Sequence, residues 1–273
     1  MNHPFSELEP EYKNLLSICQ VQRKPLADQA AARLLKDKAF YTAVTSQTGV
    51  PAAFIMALNE RESSGNLNTY LGNGEPLGRV TRLVPKGRGP FPNWSTGAID
   101  AIKYDHLDGT AAWTLPFACY RGESWNGFGP RAHGIHTGYL WAGTNIYSRG
   151  KYVADGVWDA NHVDTQLGVI PVLLSIMEKD PSLKVGDAIP IVQAPSVIPA
   201  PQPAPEGVIG AASVQAGLNK LGQNPPLVVD GSYGRRTREA LRQFQVVHNL
   251  VSDGLFGPVT KAALDKALAD HGD

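Results

Sequence analysis

Cysteine is scarce in this chain: two in 273 residues, Cys19 and Cys119, far apart in sequence. They make no metal-binding or redox spacing, which predicts two buried free thiols, with a disulfide between them as the lesser alternative. Long apolar runs are missing too. No stretch approaches the length of a membrane span, so no membrane anchor is expected. The opening segment, residues 1–20, is too acidic and polar for a signal peptide, which predicts synthesis in a host cytoplasm without a secretory address. Net charge is also absent, since 25 Lys and Arg balance 25 Asp and Glu. Bulk electrostatics therefore give no reason to expect a nucleic-acid or membrane-surface partner. No cofactor or metal is expected, nor any oligomer beyond a monomer.

What is present is glycine and proline, 28 and 21 of them. Pro190, Pro195, Pro199, Pro201, Pro203 and Pro205 punctuate Ala, Val and Gln, a composition that favours an extended, semi-rigid polyproline II spacer. The chain accordingly divides into residues 1–187, a linker at 188–206 and a small unit at 207–273. Both units read as mainly α.

Residues 51–65 organise the first unit. Pro51 suits the first turn of a helix and Gly65 suits its stop. At about 100° per residue, Ile55 and Leu58 share a side with Glu62, while Glu60 points towards water. A carboxyl held against apolar side chains has its charged form disfavoured and can carry a proton to a leaving glycosidic oxygen. An ordinary amphipathic helix ending in a solvated Glu fits the same spacing. Around this helix, residues 2–24 predict an arm or short helix and residues 25–44 a packed helix. Residues 65–93 are Gly- and Pro-rich, and such a long excursion next to a candidate acid predicts a cleft wall. Ser95 or Thr96 is the expected cap of the next helix, whose core stripe is Ala98, Ile99 and Ile102. Residues 120–129 form a second glycine-rich turn. Tyr139, Trp141, Tyr147, Tyr152 and Trp158 then cluster, and aromatic faces stack on sugar rings. Tyr139, Trp141 and Tyr147 are the substrate candidates among them. Residues 163–177 close the unit as a helix that Pro171 kinks.

The second unit contains a repeat. Residues 230–241, with Asp230, Gly231, Tyr233, Gly234, Thr237, Ala240 and Leu241, are echoed by residues 253–264, with Asp253, Gly254, Phe256, Gly257, Thr260, Ala263 and Leu264. Each half is an Asp-Gly turn, an aromatic, a Gly that releases the chain into a helix, and Thr then Ala-Leu on that helix. With a preceding helix through Val214, Leu218 and Leu221, this predicts a small three-helix unit.

Arg61-Glu62-Ser63, after an apolar helix and before Gly65, resembles the catalytic-glutamate motif of goose-type lysozymes and soluble lytic transglycosylases. Residues 68–77 resemble a narrower set of phage and prophage lysozyme-like proteins, and the likeness runs from residue 54 to 174. It implies a lysozyme-like catalytic domain that cleaves peptidoglycan glycan strands, with Glu62 as general acid and Ser63, Asn126 and Gly127 near substrate. No Gly-Leu-Met-Gln stretch of the transglycosylase type follows Glu62, which leaves the reaction outcome open; the motif is closer to the goose-type pattern, and on that ground hydrolysis is favoured over transglycosylation. Residues 208–268, including Arg242-Gln243-Phe244-Gln245, resemble the peptidoglycan-binding domain type 1 family, which implies wall anchoring with Tyr233, Thr237 and Gln243 as candidate contacts. Together they look like an endolysin waiting in the host cytoplasm to reach the wall.

The reaction needs a second group. Glu75 and Glu123, each in a Gly-rich segment, are candidates, followed by Asp100. If none faces Glu62, attack by the muramyl C6 hydroxyl, the transglycosylase route, becomes the alternative. Two other classes compete. His133 and His136, with His106 and His162, form a weak zinc constellation for an amidase or peptidase. A non-catalytic wall adhesin is the other.

Overall fold

The computed structural model describes residues 3–109, 112–154, 157–186, 211–224, 226–229, 235–250 and 256–271. Among these the fold is mainly α, as expected, with one two-stranded sheet. The linker at 188–206 lies outside the described residues, as do Asp230, Gly231, Tyr233 and Asp253.

The first core is built around α4, Ala52–Ser63. Every residue from Ala52 to Asn59 is buried, so this helix is wrapped on all sides rather than laid on one face. Its neighbours are α2 (Lys24–Leu34), α3 (Lys38–Thr48) and α8 (Val169–Lys179). On α8, Val169, Ile170, Val172, Leu173 and Ile176 are fully buried, each contributing roughly 2 kcal/mol of transfer free energy. Pro51 stands just before the helix with extended backbone, one position earlier than expected. Ser64 turns left-handed and Gly65 follows at φ 74°. A side chain at Gly65 would meet Arg33 Nη1 at 2.8 Å and Leu34 Cδ2 at 3.0 Å, so both dihedral and space demand glycine.

Several local expectations are corrected by packing. One is met: of the arm or short helix expected over residues 2–24, the structure has the helix, α1 (Phe5–Ile18), burying Leu8, Tyr12, Leu15 and Leu16. The helix expected over residues 25–44 is broken between α2 and α3 by a 3₁₀ turn at Leu35–Asp37. Helix α5 (Trp94–Tyr104) is capped by Asn93, whose side chain accepts from Thr96 N–H, not by Ser95 or Thr96. Residues 120–126 are not a turn: they complete α6 (Leu115–Asn126), and the chain turns only at Gly127. Helix α8 begins at Val169, so Pro171 sits in its first turn, where a missing N–H costs nothing, and does not kink it. Between them lie the short α7 (Gly138–Trp141) and a hairpin of β1 (Lys151–Ala154) and β2 (Val157–Asp159), which pairs Tyr152 with Trp158.

A buried ionic cluster ties α1 to α6. Glu123 accepts from Arg131 Nε and Nη2, each at 2.9 Å, and from the Tyr12 hydroxyl at 2.6 Å. Arg131 reaches on to Glu11 at 3.0 Å. Burial and the neighbouring Glu123 carboxylate hold the Tyr12 hydroxyl well above its ordinary range. Cys19 and Cys119 are both free and buried, and burial pushes the Cys19 thiol up to about 12.

The C-terminal helices α9 (Ala211–Lys220), α10 (Arg235–Val247) and α11 (Pro258–Asp270) enclose a second, smaller core of Val214, Leu218, Leu227, Leu241, Phe244 and Leu264. The repeat has a physical meaning here. Gln215 Nε2 donates to Thr237 and Gln245 Nε2 donates to Thr260, each at 3.0 Å and buried. Equivalent threonines in the two halves thus hold equivalent helix joints.

We predict that Glu123→Ala destabilises the protein by about 3 kcal/mol, because it leaves Arg131 buried beside an incomplete partner set. Urea unfolding checks this, and a loss under about 1 kcal/mol would show the cluster to be dispensable. We also predict that Cys19 and Cys119 resist alkylation at neutral pH until the chain unfolds. Mass spectrometry of iodoacetamide-treated native protein reads the result, and rapid double labelling would contradict it.

Candidate functional site

The end of α4 delivers Glu62 to the surface half-buried. The Trp125 indole N–H, from the last turn of α6, donates to Glu62 Oε1 at 2.8 Å. The Tyr139 hydroxyl, from α7, donates to the same oxygen at 2.7 Å. The sequence leads one to expect apolar neighbours; the structure instead surrounds the carboxyl with the polar edges of aromatic rings. Glu60 is corrected likewise. It does not face water but is clamped by Arg33 Nη2 at 2.7 and 2.9 Å, with its side chain 13% exposed.

Beneath Glu62, Arg61 fixes the terminus of α4. Its guanidinium lies 5.1 Å from the Tyr139 ring centroid and is ion-paired with Asp164, both side chains being buried. Gln166 Nε2 donates to the Arg61 carbonyl at 2.6 Å, and Arg61 Nη1 donates to the Leu167 carbonyl at 3.2 Å. Burial alone would raise the Asp164 carboxyl, but Arg61 and Lys151 more than offset it and hold it below the ordinary carboxylate range. The glycine at 168 lets this loop press against α7, since a side chain there would meet Leu140 O at 2.3 Å.

A groove of about 750 Å³ opens beside Glu62. Trp125, Asn126, Tyr139 and Gln166 line the Glu62 side, and Arg82, Leu83, Val84 and Lys86 line it from the glycine-rich excursion. Gln223, Asn224, Leu227, Arg236 and Gln243 border it from the C-terminal helices. The excursion is a cleft wall, as its composition predicts.

The remaining candidate carboxylates are corrected, because each is committed to building. Glu75, 6% exposed, accepts from the backbone N–H groups of Arg82 at 2.8 Å and Leu83 at 2.7 Å, and these bonds hold it below its usual range. It shapes the wall without lining the groove. Asp100 is ion-paired with Arg88 and accepts from the Tyr70 hydroxyl at 2.8 Å, pinning the end of the excursion to α5. Glu123 belongs to the cluster with Tyr12 and Arg131. Among the described residues that line the groove, Glu62 is the one acid.

The substrate candidates divide. Tyr139 and Asn126 line the groove, and Gly127 adjoins them as the cap of α6. Ser63 donates to Asn59 Oδ1 at 2.8 Å, closing the helix end. Trp141 is corrected to a core residue, 1% exposed. Tyr147 is buried too: its hydroxyl accepts from Asp164 N–H at 3.0 Å, which supports the Arg61 clamp from below. Of the wall-binding candidates, Gln243 is exposed on the groove, Thr237 is an internal brace, and Tyr233 lies outside the described residues. The histidines have separate neighbours. His133 stacks on Trp158 with ring centroids 4.0 Å apart, and His136 sits 3.5 Å from Glu11. Among the described residues, no group of three or more His, Cys, Asp or Glu side chains is arranged to hold a metal ion.

Trp125, Arg61, Asp164, Gln166, Arg82 and Lys86 are the site residues that sequence reasoning missed. Trp125 had a signal, since it stands beside Asn126, and so had Arg61, which stands beside Glu62 in the quoted motif. Arg61 and Asp164 are 103 positions apart, and nothing in spacing joins them.

No curated protein and no solved structure matches the chain. A family model does: PG_binding_1, a peptidoglycan binding domain, matches residues 210–264. The match supports a peptidoglycan-binding domain in the C-terminal helices, with peptidoglycan as its partner.

Proposed function

We propose that the protein cleaves the glycan backbone of peptidoglycan, with Glu62 as general acid and the C-terminal domain as wall anchor. The observation that carries this reading is a single carboxyl, fixed by two aromatic donors, beside a groove large enough for sugar rings. Trp125 and Tyr139 both donate to Oε1 and fix the carboxyl, whose proton in the proposed step passes to the bridging oxygen as the C1–O bond breaks. The carboxylate so formed then serves as base.

Two routes complete the reaction from one carboxylate. In hydrolysis, Glu62 takes a proton from water that attacks C1, and a reducing end results. In the second reading, Glu62 takes the proton of the muramyl C6 hydroxyl, whose oxygen closes on C1 to give a 1,6-anhydro end. Among the described residues that line the groove Glu62 is the one acid, which favours the internal route over one that uses a second carboxylate to hold water or to attack. The goose-type motif favours water. An endolysin-like life in a phage or prophage is consistent with either.

Purified protein is expected to lower the turbidity of wall suspensions, and Glu62→Gln to reduce that rate by roughly 10²- to 10⁴-fold while leaving wall pelleting unchanged. Activity surviving the substitution would remove the glycosidase reading, and loss with EDTA restored by zinc would favour an amidase. Mass spectrometry of the soluble products separates reducing ends from 1,6-anhydro ends, which are lighter by one water. Tyr139→Phe removes one donor from Oε1 and is expected to lower kcat roughly tenfold with little change in KM. An unchanged kcat would show that Tyr139 does not orient the acid.

A further inference from the structure

The helix that carries Tyr139 is four residues long, Gly138–Trp141, and Thr137 caps it by accepting from Tyr139 N–H at 3.1 Å. So short a helix gains little from its own hydrogen bonds, and the place of the Tyr139 ring depends on what packs against it. Two contacts reach this turn from behind, and both lead to Asp164. The Arg61 guanidinium, 5.1 Å from the ring centroid, is ion-paired with Asp164 Oδ2. Gly138 approaches the same loop so closely that a side chain there would meet Asp164 Cβ at 3.1 Å and the Tyr147 ring at 2.9 Å.

Asp164 is itself anchored on several sides. Its side chain is 4% exposed, Lys151 Nζ lies 3.3 Å from Oδ2, and its N–H donates to the Tyr147 hydroxyl at 3.0 Å. Arg61 Nη1 donates to the carbonyls of Gln166 and Leu167 at 3.3 and 3.2 Å while Nη2 faces Asp164, so the guanidinium plane is fixed through both terminal nitrogens. Asp164 is not among the described residues that line the groove. A buried carboxylate drawing on two cations is costly to assemble, and this one stands directly behind the phenol that donates to Glu62 Oε1 at 2.7 Å.

We propose that Asp164 is a positioning residue of the cleavage reaction: through Arg61 and the Gly138 turn it sets the Tyr139 hydroxyl on Glu62. This rests on the reading of Glu62 as general acid and adds to it a residue, 102 positions away in sequence, that acts on the acid without meeting substrate. Asp164 holds Arg61, Arg61 holds the ring, and the ring's hydroxyl holds the carboxyl.

Crystallography of the full-length Asp164→Asn protein reads the positioning without requiring cleavage. The Tyr139 hydroxyl is expected to leave Glu62 Oε1, and a contact kept at 2.7 Å would overturn the proposal. Initial rates on soluble glycan strands read the consequence. Asp164→Asn is expected to lower kcat roughly three- to tenfold and to change KM by less than about twofold. In a Tyr139→Phe background the same substitution is expected to cost less than about twofold, because the hydroxyl through which Asp164 acts is gone. A loss of general structural origin would instead multiply with that of Tyr139→Phe and contradict the proposal. So would a rise in KM with kcat kept, since Arg61 would then be meeting the sugar chain itself. Tyr147→Phe removes the acceptor of the Asp164 N–H and takes the place of Asp164→Asn if that protein does not fold. A loss of about twofold in kcat that vanishes beside Tyr139→Phe supports the proposal, and an additive loss or none overturns it. A parent protein that fails to clear wall, with the hydroxyl displaced in the Asp164→Asn crystal, supports the positioning of Tyr139 and removes only the cleavage reading.

Discussion

One carboxylate oxygen, shared by an indole N–H and a phenol O–H, sets the character of the site. Glu62 ends a helix that is buried on all sides, so its backbone has no freedom to drift. Trp125 and Tyr139 come from α6 and α7, and their convergence on Oε1 requires those helices to keep their places. Arg61 then locks Tyr139 from the other side, held in turn by Asp164 and the loop before α8. The chemistry asked of Glu62 depends on this frame being rigid to within a fraction of an ångström.

Elsewhere the same residue types do different work. Glu75, Asp100 and Glu123 are carboxylates in the right part of the chain, yet each is satisfied by backbone N–H groups, an arginine or a phenol. Buried acids without partners are costly, so a carboxylate fully engaged in such bonds is part of the architecture. The excursion over residues 65–93 illustrates the result: irregular in composition, it is pinned by Glu75 in its middle and by Arg88 on Asp100 at its end. It can therefore present Arg82 and Lys86 to the groove from a defined wall.

The mainly α character, the Glu62 helix, the wall-forming excursion and the repeat were all legible in the sequence, because each is written in local spacing: apolar runs, glycine and proline punctuation, an echoed Asp-Gly turn. The environment of Glu62 was not. Hydrophobic periodicity placed Ile55, Leu58 and Glu62 on one side, but a helix buried all round has no single apolar face, and the partners of Glu62 are supplied by residues 63 and 77 positions away. Helix boundaries slipped where tertiary contacts outweighed propensity, as at Gly127 and Val169. The roles of Thr237 and Trp141 were misjudged for a common reason: polarity or aromaticity marks a residue that can meet a ligand and equally one that closes a core.

The central claim is positional, and a crystal structure of the Glu62→Gln protein with a bound muropeptide chain tests it most directly. The account predicts a glycosidic bridge oxygen within hydrogen-bonding distance of the residue-62 side chain, beside Trp125 and Tyr139. A sugar chain bound away from residue 62, with the groove beside Trp125 empty, would contradict it.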